Sequence, residues 1–115
     1  MGESHSRVTL DKIGMPAPQL QYEVVDPRSG RVAFADFAWP EVRTLGEFDG
    51  KIKYGRLVTT EQTAGDVIYA EKQREDWLRD LGWEVVRWGW NDLAQPANLA
   101  SRLRRGFSRG QSRAG

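Results

Sequence analysis

Asp36-Phe-Ala-Trp39-Pro40 and Glu47-Phe-Asp49-Gly50-Lys51 place three carboxylates and an ammonium on two neighbouring extended segments. At a strand's period of two, Leu45, Glu47 and Asp49 point to one face, and Thr44, Gly46 and Phe48 to the other. Two carboxylates on one side of one strand repel each other, an arrangement that stability alone does not select. A divalent cation resolves the conflict, because Mg²⁺ is held by one or two carboxylates together with waters and a phosphate oxygen. With Lys51 two residues beyond Asp49, the set has the parts for phosphodiester hydrolysis: a metal, Mg²⁺ or Mn²⁺, to activate water, and a cation to balance charge growing on phosphorus.

The elements that must position these groups follow from pattern. Residues 3 to 13 read as a helix on which Glu3 shares the side of Leu10, ended by Gly14, Pro16 and Pro18. Leu20 to Val25 reads as a strand, Asp26-Pro-Arg-Ser-Gly30 as a turn, and Arg31 to Ala38 as a central strand apolar on both faces except at Asp36. An ionisable group in that setting needs a partner. Arg43 to Asp49 returns as a third strand, and Gly50 to Ala64 reads as a loop. Asp66 to Leu81 is a helix with Val67, Ala70, Trp77, Leu78 and Leu81 as its seam and Lys72/Asp76 among its i, i+4 pairs. Arg74 interrupts that seam and so calls for an anion. Trp83 to Trp90 is a fourth strand, in which Arg87 calls for an acid, and Pro96 to Gly106 a last helix. The order α-β-β-β-α-β-α predicts an α/β fold with a mixed four-stranded sheet and helices on both faces.

A chain of 115 residues fits one domain, here residues 1–106. The absence of cysteine excludes disulfides and thiolate metal sites, and His5, the only histidine, leaves no histidine-based triad. No apolar run approaches the ~20 residues that span a bilayer, and no signal-peptide pattern opens the chain, so a soluble cytoplasmic protein is expected. The net charge of +1 hides an asymmetry: five arginines and no acid follow Ser101. Residues 107–115, rich in glycine and serine, read as a flexible basic tail suited to phosphate contacts.

Element order, Glu3 on the first helix, Asp36 on the second strand and Glu47-x-Asp49-x-Lys51 on the third resemble the PD-(D/E)-x-K nuclease superfamily with its restriction-endonuclease-like three-layer α/β/α fold. The chain is more closely similar to very-short-patch-repair-like (Vsr-like) domains of unknown function, found at the C-terminus of actinobacterial antitoxin-like proteins. Gly2-Glu-Ser-x-Ser-Arg7, Pro18-x-Leu-Gln21, Asp36-Phe-x-Trp-Pro-Glu41, Glu47-Phe-Asp-Gly-Lys-x-Lys-Tyr54, Glu71-Lys-x-Arg-Glu75 and Gly82-Trp-x-Val-Val-Arg87 carry that similarity. The resemblance implies a helix glutamate at Glu3, a metal-binding aspartate at Asp36, and an acid-x-Lys element in one of two registers. Either Glu47 is the acid and Asp49 stands in the lysine's place, or Asp49 is the acid and Lys51 the lysine. Gln21, Lys53, Lys72 and Arg74 are candidate supporting groups.

Two functions follow as expectations. One is a Mg²⁺- or Mn²⁺-dependent DNA endonuclease or nickase acting through Glu3, Asp36, Glu47, Asp49 and Lys51. The other is a nuclease-like DNA-binding or regulatory module whose acids serve in structural ion pairs. DNA is the expected partner, and the oligomeric state stays open between monomer and dimer.

Overall fold

Val32–Trp39, apolar at nearly every position, forms β2, an interior strand of the sheet. The structure, a computed structural model, describes residues 2–50 and 64–114. Within them, α1 (Gly2–Lys12) leads to β1 (Gln19–Val25), which pairs antiparallel with β2 across the Asp26–Gly30 turn. Asp26 holds that turn by accepting hydrogen bonds from the Arg28 amide at 2.9 Å and the Trp77 indole at 3.1 Å. A short 3-10 turn (Pro40–Val42) reverses the chain into β3 (Thr44–Phe48), antiparallel to β2. β4 (Glu84–Trp88) follows α2 (Ala64–Asp80) and lies parallel to β3, as the helical crossover requires. In the order β1-β2-β3-β4, two antiparallel pairings and one parallel pairing make the sheet mixed, as the pattern predicts.

Helices cover both faces. On one, Leu10 of α1 and Leu99 and Leu103 of the last helix, α4 (Pro96–Ala114), bury Phe37, Trp39, Val86 and Trp88, with Leu93 of the one-turn α3 (Trp90–Leu93). On the other, Leu78 of α2 packs with Val24, Ala35, Ala38, Leu45, Trp83 and Val85. Of the predicted α2 seam, Leu78 is buried, Trp77 and Leu81 are half-buried, and Ala70 is exposed. Gly46 is obligatory where β3 crosses beneath Trp88: a Cβ there would lie 2.7 Å from the indole ring.

The C-terminus departs from expectation. The last helix, expected to end at Gly106, instead continues from Pro96 through Ala114, so residues 107 to 114 form the last turns of α4. Gly110 sits so close to the 3-10 turn that an added Cβ would come within 1.9 Å of the Val42 carbonyl oxygen. Glycine there permits contact between backbones instead of signalling disorder. No helix among the described residues is long and apolar enough to cross a membrane.

Candidate functional site

Strict alternation would put Ala35 and Phe37 on one face of the sheet, yet Ala35 packs under α2 and Phe37 under α1 and α4. The inversion falls at Asp36. Opposite it on β1 is Gln21, a non-glycine residue at φ +47°, and the pairing keeps one register on either side: Leu20 faces Phe37 and Tyr22 faces Ala35. Both strands therefore turn over together at the Gln21–Asp36 step. A left-handed, non-glycine conformation costs on the order of 1 kcal/mol and persists only where its surroundings enforce it.

The turn brings two of the expected acids together. Asp36, half-buried, accepts a hydrogen bond through Oδ2 from the Phe48 amide at 3.1 Å. Glu3, exposed in the first turn of α1, accepts one through Oε1 from Gln21 Nε2 at 3.2 Å, and its carboxyl lies near enough to Asp36 to feel that residue's charge. Some loss of hydration first, then the neighbouring Asp36 carboxyl, raise Glu3 above its ordinary value, although the residue stays exposed. Three elements, α1, β1 and β2, thus supply one carboxyl pair and the amide that orients it.

Glu47 belongs to a different group. From β3 it faces α2, where Arg74 grips both carboxylate oxygens at 3.0 and 2.8 Å while donating to the Phe34 carbonyl at 2.9 Å. Arg87 approaches Glu47 at 3.7 Å and makes its closest ion pair with Glu71. The sequence reasoning that gave Arg74 an anion and Arg87 an acid is met here, with Glu71 the partner that went unnoticed. Asp49 follows β3, half-buried, and its amide donates to the Trp88 carbonyl at 2.8 Å. Among the described residues, no three carboxylates or histidines gather closely enough to hold a metal ion between them. The structure therefore joins Glu3, Gln21 and Asp36, and gives Glu47 to the arginines of α2 and β4. Lys72 turns away: its side chain is 74% exposed and pairs with Asp76 at 3.5 Å. Lys51 and Lys53 lie outside the described residues.

A carboxyl whose folded pKa is raised above 4.5 binds its proton more tightly in the folded than in the unfolded chain, so stability falls as pH rises from 4.5 through the folded pKa. Glu3 is exposed, so water screens most of the repulsion, and Glu3→Gln should leave the melting temperature at pH 7 in chelator unchanged or slightly raised, with any gain vanishing below pH 4. A melt series across that range checks it; a lower melting temperature at pH 7 would mean that the carboxylate is needed for stability.

No family model matches the chain, and no solved structure matches it. Two uncharacterized proteins of Mycobacterium tuberculosis, Rv2248 from strain H37Rv and MT2308 from strain CDC 1551, are each 31% identical over 109 residues, covering 93% of this chain. The match takes in only 36% of either relative, so the chain spans about a third of their length.

Proposed function

We propose that this chain is a nuclease-like module that hydrolyses the phosphodiester backbone of DNA with a divalent cation, Mg²⁺ or Mn²⁺, bound at Glu3 and Asp36. The observation that carries the reading is the convergence of these two carboxyls from α1 and β2, each with one oxygen already fixed by a donor, at a strained backbone step. Hard oxygen donors of this kind suit Mg²⁺, which needs only one or two carboxylates from the protein. The motif resemblance to PD-(D/E)-x-K nucleases assigns metal ligation to the same aspartate. When bound, the cation supplies a water of lowered pKa and charge balance at the reacting phosphate. The chain's own residues orient and hold: Gln21 fixes Glu3, the Phe48 amide fixes Asp36, and Arg74 fixes Glu47 on the adjoining strand.

One observation favours a second reading, a nuclease-like DNA-binding or regulatory module without catalysis: Glu47, the acid of one register, is engaged by Arg74 and Arg87. Calorimetric titration of Mg²⁺ and Mn²⁺ into the wild type and Asp36→Ala separates the two. The catalytic reading expects binding by the wild type, at least ~10-fold weaker binding by Asp36→Ala, and plasmid cleavage lost with it. Metal binding in neither protein, with no cleavage, would overturn the catalytic reading and favour the second.

A further inference from the structure

We propose that the face formed by α4 and the outer edge of β4 binds the phosphate backbone of a DNA strand, with Arg105 as its free phosphate contact. The inference rests on the DNA reading for its ligand, but not on catalysis.

α4 carries five arginines and no acid. Arg102, Arg105, Arg109 and Arg113 recur at intervals of three and four and so share one side of the helix, along ~16 Å of its axis. β4 ends the sheet order, and Arg102, Arg105 and Arg109 line a cleft of about 230 Å³ with its Val85 and Val86.

Most of these side chains have structural work. Arg102 pairs with Asp92 at 3.0 Å and caps the Arg87 carbonyl at the strand edge. Arg109 and Arg113 hold Glu84 at 2.7 and 3.1 Å, and Arg79 reaches the same carboxylate at 3.5 Å. Arg79 also pairs with Glu75. Four guanidinium groups, from Arg79, Arg102, Arg109 and Arg113, thus meet three carboxylates, and Arg105 adds a fifth with none left to take. Arg105 is exposed, lines the cleft between two anchored arginines, and has no ion-pair partner among the described residues. Its guanidinium is free to take a phosphate oxygen pair, a geometry that arginine fits better than lysine.

The linear array selects a polyanion of regular charge spacing, and a nucleic-acid strand offers a phosphate every ~3.4 Å of rise. A bilayer is a poorer match. The apolar side of α4, Leu99 and Leu103, is already buried against the sheet, so no face remains to enter lipid.

Arg104 supplies the control, because it is exposed on the same helix but lies roughly 100° or more around the axis from each member of the stripe. Anisotropy of a fluorescein-labelled DNA duplex would be titrated with the full chain in EDTA, across a salt series, with phosphatidylserine vesicles in parallel. The expected result is that Arg105→Ala weakens binding several-fold and lowers the slope of log K against log salt by ~0.9, while Arg104→Ala leaves the slope unchanged. Circular dichroism of both variants should match the wild type. Equal losses in the two variants, no DNA binding by the wild type, or preferential binding to vesicles would each overturn the proposal. Plasmid cleavage with Mn²⁺ is scored separately. An Arg105-dependent slope without cleavage sinks the catalytic reading alone, and cleavage with an Arg105-independent slope sinks this one alone.

Discussion

Replacing Glu84 by alanine is expected to destabilise the fold by about 3–5 kcal/mol, the cost of removing one partner from a buried charge cluster. The Glu84 side chain is 1% exposed and receives Arg109, Arg113 and Arg79 from two helices. Without it, three guanidinium groups face one another around an emptied site, and the last turns of α4 lose their electrostatic attachment to the sheet. A domain of this size holds about 5–15 kcal/mol in total, so the variant should unfold at a much lower urea midpoint with little change in m. The pH dependence is also determined. Burial by itself would raise the Glu84 carboxyl, but the hydrogen bond and charge of Arg109, with the charges of Arg79 and Arg113, hold it below its ordinary 4.5. Its stabilisation is therefore complete above pH 4.5 and is lost as pH falls through the folded pKa. The Glu84→Ala variant should lack that acid limb. A urea midpoint within error of the wild type would show that backbone packing at Gly110 suffices to dock the helix.

The same cluster explains why the C-terminus was illegible in the sequence. Gly106, Gly110, Ser108 and Ser112 look like a tail because glycine costs about 1 kcal/mol in a helix interior. Tertiary contact outweighs that penalty here: Leu99, Leu103, Gly106 and Gly110 follow a 4, 3, 4 spacing and are all buried, while Arg109 and Arg113 complete Glu84. The signal that could have located this helix is Glu84 itself, an acid inside Trp83-Glu-Val-Val-Arg-Trp88. A buried carboxylate demands a cation, and the downstream arginines were available to supply it.

The order of elements and the mixed sheet were legible because β2 is apolar throughout, β1 and β2 flank a strong turn, and a helix of α2's length joins parallel strands. The grouping of the acids was less so. Alternation along β3 correctly separates Glu47 from Phe48, and Arg74 on an apolar seam correctly demands an anion. Alternation along β2, however, fails at Asp36, where both strands turn over. No local pattern at Gln21 announces a left-handed residue, since glutamine has no preference for that conformation. The turn is fixed by what lies on either side of it: Phe37 must reach the core under α1 and α4, and Ala35 the core under α2.

That division makes Glu47 the residue whose removal separates structural from catalytic roles. Glu47→Ala is expected to lose about 2–3 kcal/mol in chelator, somewhat below a fully buried pair because both arginines retain some contact with water. The carboxylate is 12% exposed, binds Arg74 through both oxygens, and lies within 3.7 Å of Arg87. Arg87 cannot easily compensate. Its Nε is buried and has no hydrogen-bond partner among the described residues, and its Nη2 is already paired with Glu71. Glu47→Gln, which keeps an acceptor for Arg74 but not the charge, should lose less. Chemical melts of both variants, beside Mg²⁺ titrations of the same preparations, give two readings of one side chain. A large stability loss with unchanged metal affinity assigns Glu47 to the ion-pair group and leaves Glu3 and Asp36 as the cation's ligands. Unchanged stability with metal binding lost would reverse that assignment: Glu47 would leave Arg74 to join Asp36 when the cation binds, and the acid-x-Lys register beginning at Glu47 would be the operative one.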